Sequence, residues 1–174
     1  MEERSDNKLV DLTLDKHKDY FTELVTRYYP KLARYLYRLL NGNVHDVEEC
    51  LSETFMKAYI NLATYTPSLS FSAWIYRIAH NHAIDLMRKK SRTETIAFEE
   101  HHAALNPATH YEEKDYVEHI LGFLTLEERN LLTLFYLEGL SLNEISDMLK
   151  IKPNTIAVKI KRIRERLRKQ YPQY

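Results

Sequence analysis

Glycine is scarce in this chain: three in 174 residues, alongside five prolines, one tryptophan and one cysteine. So few turn-formers exclude a β-rich fold built on tight hairpins and favour helices. The lone Cys50 excludes an intramolecular disulfide and fits a reducing compartment. No window approaches the ~18 apolar residues of a membrane span. The opening MEERSDNKLVDLTLDKHK lacks the apolar core of a signal peptide, so a cytoplasmic, non-inserted protein is expected. Net charge is missing too, with 25 basic and 25 acidic residues. That balance hides an asymmetry. Lys150 to Lys169 holds nine bases against the single acid Glu165, whereas residues 93–116 hold six acids against Lys114 alone. A charge run by itself is consistent with a solvated face; its setting decides whether it does more.

The apolar residues recur at helical spacing in two blocks. Phe21, Leu24, Val25 and Tyr28 mark one face, which Leu32, Leu36, Leu39 and Leu40 continue past Pro30. After the break at Asn41-Gly42-Asn43, Val47, Leu51, Phe55, Ala58 and Leu62 line a second long helix. A loop over 64–70 precedes a third helix, Ser72 to Arg88, anchored by Trp74, Ile75, Ile78 and Leu86. Periodicity then lapses until Val117, after which four short helices are expected. The fold class is therefore all-α: two small helical domains, 1–92 and 117–174, joined by a flexible acidic linker, 93–116.

The C-terminal block carries the clearest motif. Thr125-Leu-Glu-Glu128 and Ser141-Leu-Asn-Glu144 are capping boxes, each opening a helix, and Gly139 suits the end of the first. Pro153 fits the first position of the last helix, and Ile156, Ile160, Ile163 and Leu167 give it a narrow buried stripe. A short capped helix, a tight turn and an amphipathic helix make a helix-turn-helix, whose second helix enters the DNA major groove. Pro153, Asn154, Thr155, Ala157 and Val158 would then face base edges, while Lys159, Lys161, Arg162, Arg164 and Arg166 reach phosphates. Lys161 and Arg162 could also touch bases. A solvated basic helix closing a bundle is the bland alternative, but caps, turn and basic helix occur together and in order.

Two N-terminal stretches, HDVEECLSETFMKAY (45–59) and FSAWIYRIAHNHAIDLMRKKSR (71–92), resemble the sigma-70 family of bacterial transcription initiation factors, nearest its extracytoplasmic-function (ECF) class. Asp46, Glu48, Glu53, Thr54, Phe55 and Ala58 match the family pattern in the first stretch. Phe71, Ala73, Trp74, Tyr76, Arg77, Ile78, Ala79, Asn81, Ala83, Ile84, Asp85 and Arg88 match it in the second. SLNEISDMLKIKPNTIAVKIKRIRERLR (141–168) resembles the family's other DNA-binding domain.

The resemblance implies a sigma factor that binds core RNA polymerase, directs it to promoters and helps melt the −10 element. Its partners would be the polymerase β′ coiled coil and β flap, promoter DNA, and an anti-sigma factor. Asp46, Glu49, Ser52 and Glu53 are the polymerase-binding residues so implied, Asp46, Glu49 and Glu53 being expected to project away from the buried stripe. His80, Asn81, Arg88 and Lys89 are expected to point outward towards the −10 element. The preceding loop, Tyr65 to Ser70 with Tyr65 and Ser68 as contacts, would shape a pocket for an unstacked base. Asp85 either orients a neighbouring base or pairs with Arg88 at i+3. Trp74 reads as core. The helix-turn-helix would read the −35 element, and the acidic linker would thread through the polymerase.

The chain departs from the family pattern at Ser52, Ser72, Lys150, Lys152, Ala157 and Val158, which bears on the polymerase contact and the preferred −35 sequence. His80-Asn81-His82 spells the name of a nuclease motif, but consecutive helical residues point ~100° apart and cannot converge on a metal. No catalytic residue, metal or cofactor is expected. The rival reading is a stand-alone helix-turn-helix regulator with a helical sensor domain. A third is an interaction protein that sequesters polymerase.

Overall fold

The computed structural model describes residues 4–15, 17–68, 70–93 and 113–171. Among these the regular structure is helical. The N-terminal domain holds α1 (Asp6–Leu14), α2 (Asp19–Leu39), α3 (Val44–Ile60) and α4 (Phe71–Thr93). The C-terminal domain holds α5 (Glu113–Gly122), α6 (Leu126–Leu132), α7 (Leu142–Leu149) and α8 (Pro153–Gln170). Most of the acidic linker lies outside the described residues.

Helix α1 is absent from the periodicity reading, and its stability is not local. Ser5 caps it, yet only Leu9, Val10 and Thr13 are buried from it. What fastens it is α2. The Asp6 carboxylate accepts from Arg27 Nη1 and Tyr28 Oη, both at 2.5 Å. Burial, then the bond to Asp6, pushes the Tyr28 hydroxyl well above its usual range. Helix α2 continues through Pro30, forgoing one ladder bond there because proline has no N–H.

The turn before α3 needs two left-handed residues, Asn41 (φ 54°) and Gly42 (φ 76°). A Cβ on Gly42 would also come within 3.1 Å of the Tyr37 hydroxyl. The positive φ favours glycine there, and a side chain would also make the half-exposed Tyr37 ring shift slightly. Asn43 then caps α3 by accepting from the Asp46 amide. Tyr28, Tyr65, Phe71 and Trp74 pack as an aromatic group, with ring centroids 5.3–5.5 Å apart. Trp74 is core, as its place in the pattern suggests.

In the C-terminal domain both capping boxes form, at Thr125/Glu128 and at Ser141/Glu144. Helix α6 does not run straight to Gly139 but widens into a π-helical turn over Thr133–Leu137. Gly139, at φ 71°, ends it. Lys150 takes the left-handed position between α7 and α8 (φ 59°), a conformation that costs an L-residue roughly 1–2 kcal/mol. Pro153 opens α8, whose Ile156, Ile160 and Ile163 are buried.

Candidate nucleic-acid and polymerase interface

Three helix faces carry the residues singled out from sequence. On α8 the isoleucine stripe seats the helix against α6 and α7 and turns the other faces outward. Asn154, Thr155 and Val158 are exposed near its N-terminus, with Pro153 and Ala157 half-buried beside them. Arg162 and Arg164 are exposed and carry no ion pair among the described residues. Three other cations of this helix are partnered. Lys159 bonds Glu127, Arg166 Nη2 lies 2.8 Å from Glu128 Oε2, and Lys161 is 3.9 Å from Glu165. Glu128 thus serves twice, capping α6 and bracing α8. Burial alone would raise its carboxyl, but the bonds from Arg166 and the Thr125 backbone hold it below its usual range. The α8 surface is a basic strip in which Arg162 and Arg164 are available to phosphate.

On α4, Asn81, Asp85, Arg88 and Lys89 are exposed along one side. Asp85 and Arg88 form the i+3 pair, 3.8 Å apart, with both side chains more than 70% exposed. A pair so hydrated is worth little and leaves both groups available to a ligand. Ser68 is exposed in the preceding loop, its hydroxyl 3.3 Å from Thr66 Oγ1.

Two residues assigned to this face lie elsewhere. Tyr65 is buried, its ring in the aromatic group and its hydroxyl donating to Asn7 of α1 at 2.6 Å. It supports the loop from beneath and does not line an open pocket. His80 is turned inward, its Nδ1 2.9 Å from the Tyr35 hydroxyl. Burial lowers its pKa to about 4, so the ring is neutral near pH 7.

On α3, Glu49 and Ser52 are exposed and Glu53 is half-buried, 3.9 Å from Lys57. Asp46 is not on this surface. It is 6% exposed and its Oδ1 lies 2.5 Å from Lys90 Nζ of α4, so it ties two helices together. In its place the face extends towards the C-terminus through Met56, Tyr59 and Ile60, the last 70% exposed. Sequence reading overlooked these three; the available signal was apolar residues lying off the buried stripe. Tyr29 of α2 stacks on Phe55 beside them.

Comparison with known proteins identifies the family. Residues 24–93 match the family Sigma-70 region 2, and residues 114–167 match Sigma-70, region 4. The chain is 34% identical over 170 residues to the ECF RNA polymerase sigma factor SigW of Bacillus subtilis, covering 88% of this chain and 89% of that one. The structure of CnrH in complex with the cytosolic domain of CnrY covers 98% of this chain and 99% of CnrH, with a TM-score of 0.72 and 24% identity, a likeness of fold. An engineered region 2 of sigmaE, solved in complex with GTAAAA, covers 55% of this chain and 99% of that one at 31% identity and a TM-score of 0.50. With both conserved regions in order and this identity over nearly the full length, the chain belongs to the sigma-70 family of RNA polymerase sigma factors, in its ECF class.

Proposed function

We propose that the chain divides promoter recognition among the three faces just described. Glu49, Ser52 and Glu53, continued by Met56, Tyr59 and Ile60, dock on core polymerase. Asn81, Arg88 and Lys89, with Ser68 in the loop, read the −10 element, and Asp85 is released from Arg88 when a base arrives. Residues 117–174 read the −35 element, with Asn154, Thr155, Ala157 and Val158 towards bases and Lys161, Arg162 and Arg166 towards phosphates. Lys159 enters only by leaving Glu127.

The observation that carries this reading is the separation of the faces. Each sits on its own helix, each points to solvent, and the buried stripe of each helix keeps it oriented. Region 2 of a relative solved with GTAAAA supports the −10 assignment. The chain acts by binding, with the chemistry left to the polymerase, and works in the bacterial cytoplasm; no helix of the described residues is long and apolar enough to cross a membrane. An anti-sigma protein is a fitting inhibitor, as in the Bartonella quintana RpoE–NepR complex of similar fold.

The test is transcription in vitro with core polymerase. A promoter-specific transcript should appear only when the chain is added. A chain that binds duplex DNA alone and yields no transcript would be the stand-alone regulator instead.

A further inference from the structure

Helix α1 lies ahead of residues 24–93, the stretch that matches region 2, and no face of the promoter reading includes it. Its first turn takes hold of two buried tyrosines. Tyr28 of α2 donates to Asp6 Oδ2 at 2.5 Å, and Tyr65, which opens the loop before α4, donates to Asn7 Oδ1 at 2.6 Å. Both rings pack edge-on against Phe71, the first residue of α4, with centroids 5.3 and 5.5 Å away. Two consecutive residues of one helix thus hold two supports of the loop and of the helix that follows it.

The hold runs from α2 through α1 to the loop. Arg27 Nη1 lies 2.5 Å from Asp6 Oδ1, so α2 grips both oxygens of that carboxylate. Ser5 accepts from the Lys8 amide at 3.3 Å and caps the same turn. The backbone that presents Asn7 is therefore fixed from both sides. Helix α1 also packs against the 3-10 turn Leu62–Thr64, from which the chain enters the loop. The Tyr65 amide bonds the Leu62 carbonyl at 3.1 Å, and at the far end Ser70 Oγ accepts from the Ala73 amide at 3.1 Å. Ser68, assigned above to the −10 element, lies between these two ends.

A phenylalanine at position 65 would bury the same ring. The tyrosine adds a donor at a buried position, and a buried donor needs a partner. Burial, then the charges of Asp6 and Asp11, raise its hydroxyl above the usual range, so it is protonated near pH 7 and donates. Asn7 itself is exposed, so packing does not require it. Tilting the Tyr65 ring to let the loop move strips the hydroxyl from Asn7. One such bond biases the population of an arrangement by about threefold to tenfold.

We propose that α1 is a positioning element for promoter opening. Asp6 anchors its first turn on α2, and Asn7 holds Tyr65 and with it the loop that carries Ser68. Asn7 and Tyr65 act as positioning residues without touching DNA. The inference rests on the −10 assignment of Ser68, Asn81 and Arg88, and its test separates the two.

Holoenzyme is assembled from core polymerase and the full chain carrying Asn7→Leu, Tyr65→Phe or both. Permanganate reactivity is then read on a promoter that the native holoenzyme opens and on single-base variants of its −10 element. Each single change should lower the preference for the native −10 sequence by about threefold to tenfold. The double change should lower it no further, because both remove one bond. Asn7→Asp keeps the Oδ1 acceptor and should keep the preference. Melting temperature and polymerase affinity are followed alongside. A contact that only stabilises the fold would shift the melting temperature and leave the −10 preference of the folded holoenzyme unchanged. That result would overturn the proposal, as would additive losses in the double variant. Asn81→Ala on the same promoters tells the two readings apart. Opening impaired by Asn81→Ala but not by Asn7→Leu or Tyr65→Phe removes the α1 inference alone; opening left intact by Asn81→Ala removes the −10 assignment and this inference with it.

Discussion

Replacing Arg162 by alanine should flatten the salt dependence of −35 binding by nearly one unit, and replacing Arg166 should flatten it distinctly less. Each phosphate contact contributes about −0.9 to the slope of log affinity against log salt. Across a fourfold rise from about 50 to 200 mM, one contact is thus worth roughly a 3.5-fold change in affinity. Arg162 is exposed and unpaired among the described residues, so its guanidinium is available for a phosphate. Arg166 is held 2.8 Å from Glu128, an acid that also caps α6 and keeps its charge because bonds outweigh burial. To reach DNA it must leave that partner. The exchange of one anion for another releases less bound salt than a fresh contact does. The assay is salt-titrated binding of holoenzyme carrying each variant to several −35 duplexes. Both changes should weaken all duplexes alike, whereas changes at Asn154 or Ala157 should re-rank them by roughly 1–3 kcal/mol with little effect on slope. A full unit lost at Arg166 and nothing at Arg162 would refute this ordering of the strip.

Four further outcomes follow from the placements above. Glu49→Lys should weaken core-polymerase binding in a pull-down at unchanged melting temperature, whereas Asp46→Ala should cost about 1–2 kcal/mol of stability in urea melts, Lys90 regaining water in part. Asn81→Ala and Arg88→Ala should reduce permanganate reactivity of −10 thymines at equal polymerase affinity, since neither side chain is used by the core. Lys150→Gly should stabilise the C-terminal domain by about 1 kcal/mol, or roughly 2–4 °C in a thermal melt, by relieving the left-handed lysine. Burial holds His80 at about 4, below its ordinary 6.5, so the folded chain favours the neutral ring. Its contribution to folding stability should be whole above pH 6.5 and fade as pH falls towards 4. Glu138, Arg34 and Arg38 lie nearby, so loss of this acid sensitivity in His80→Gln, followed in urea melts at several pH values, is what isolates the histidine.

What the sequence by itself determined is the all-α class, the helices from α2 onward and the identity of the family. Capping boxes at Thr125 and Ser141, Pro153 at a helix start and the Ile156/Ile160/Ile163 stripe are local signals, spaced within a few turns, and each formed as spaced. Asn81, Arg88, Glu49 and Arg162 are likewise exposed on the helices where the pattern placed them. Tertiary structure decided which polar side chains those helices keep for themselves. Asp46 left the surface because Lys90, forty-four positions away, meets it across the packed α3–α4 pair. Tyr65 joined the core because α1, too weak locally to be read, brings Asn7 to its hydroxyl. His80 turned from DNA towards Tyr35, whose other partner, Asn130, lies in a different domain. A polar residue on a helix carries no local mark of whether water or a distant partner satisfies it. Only the fold brings that partner within hydrogen-bond reach.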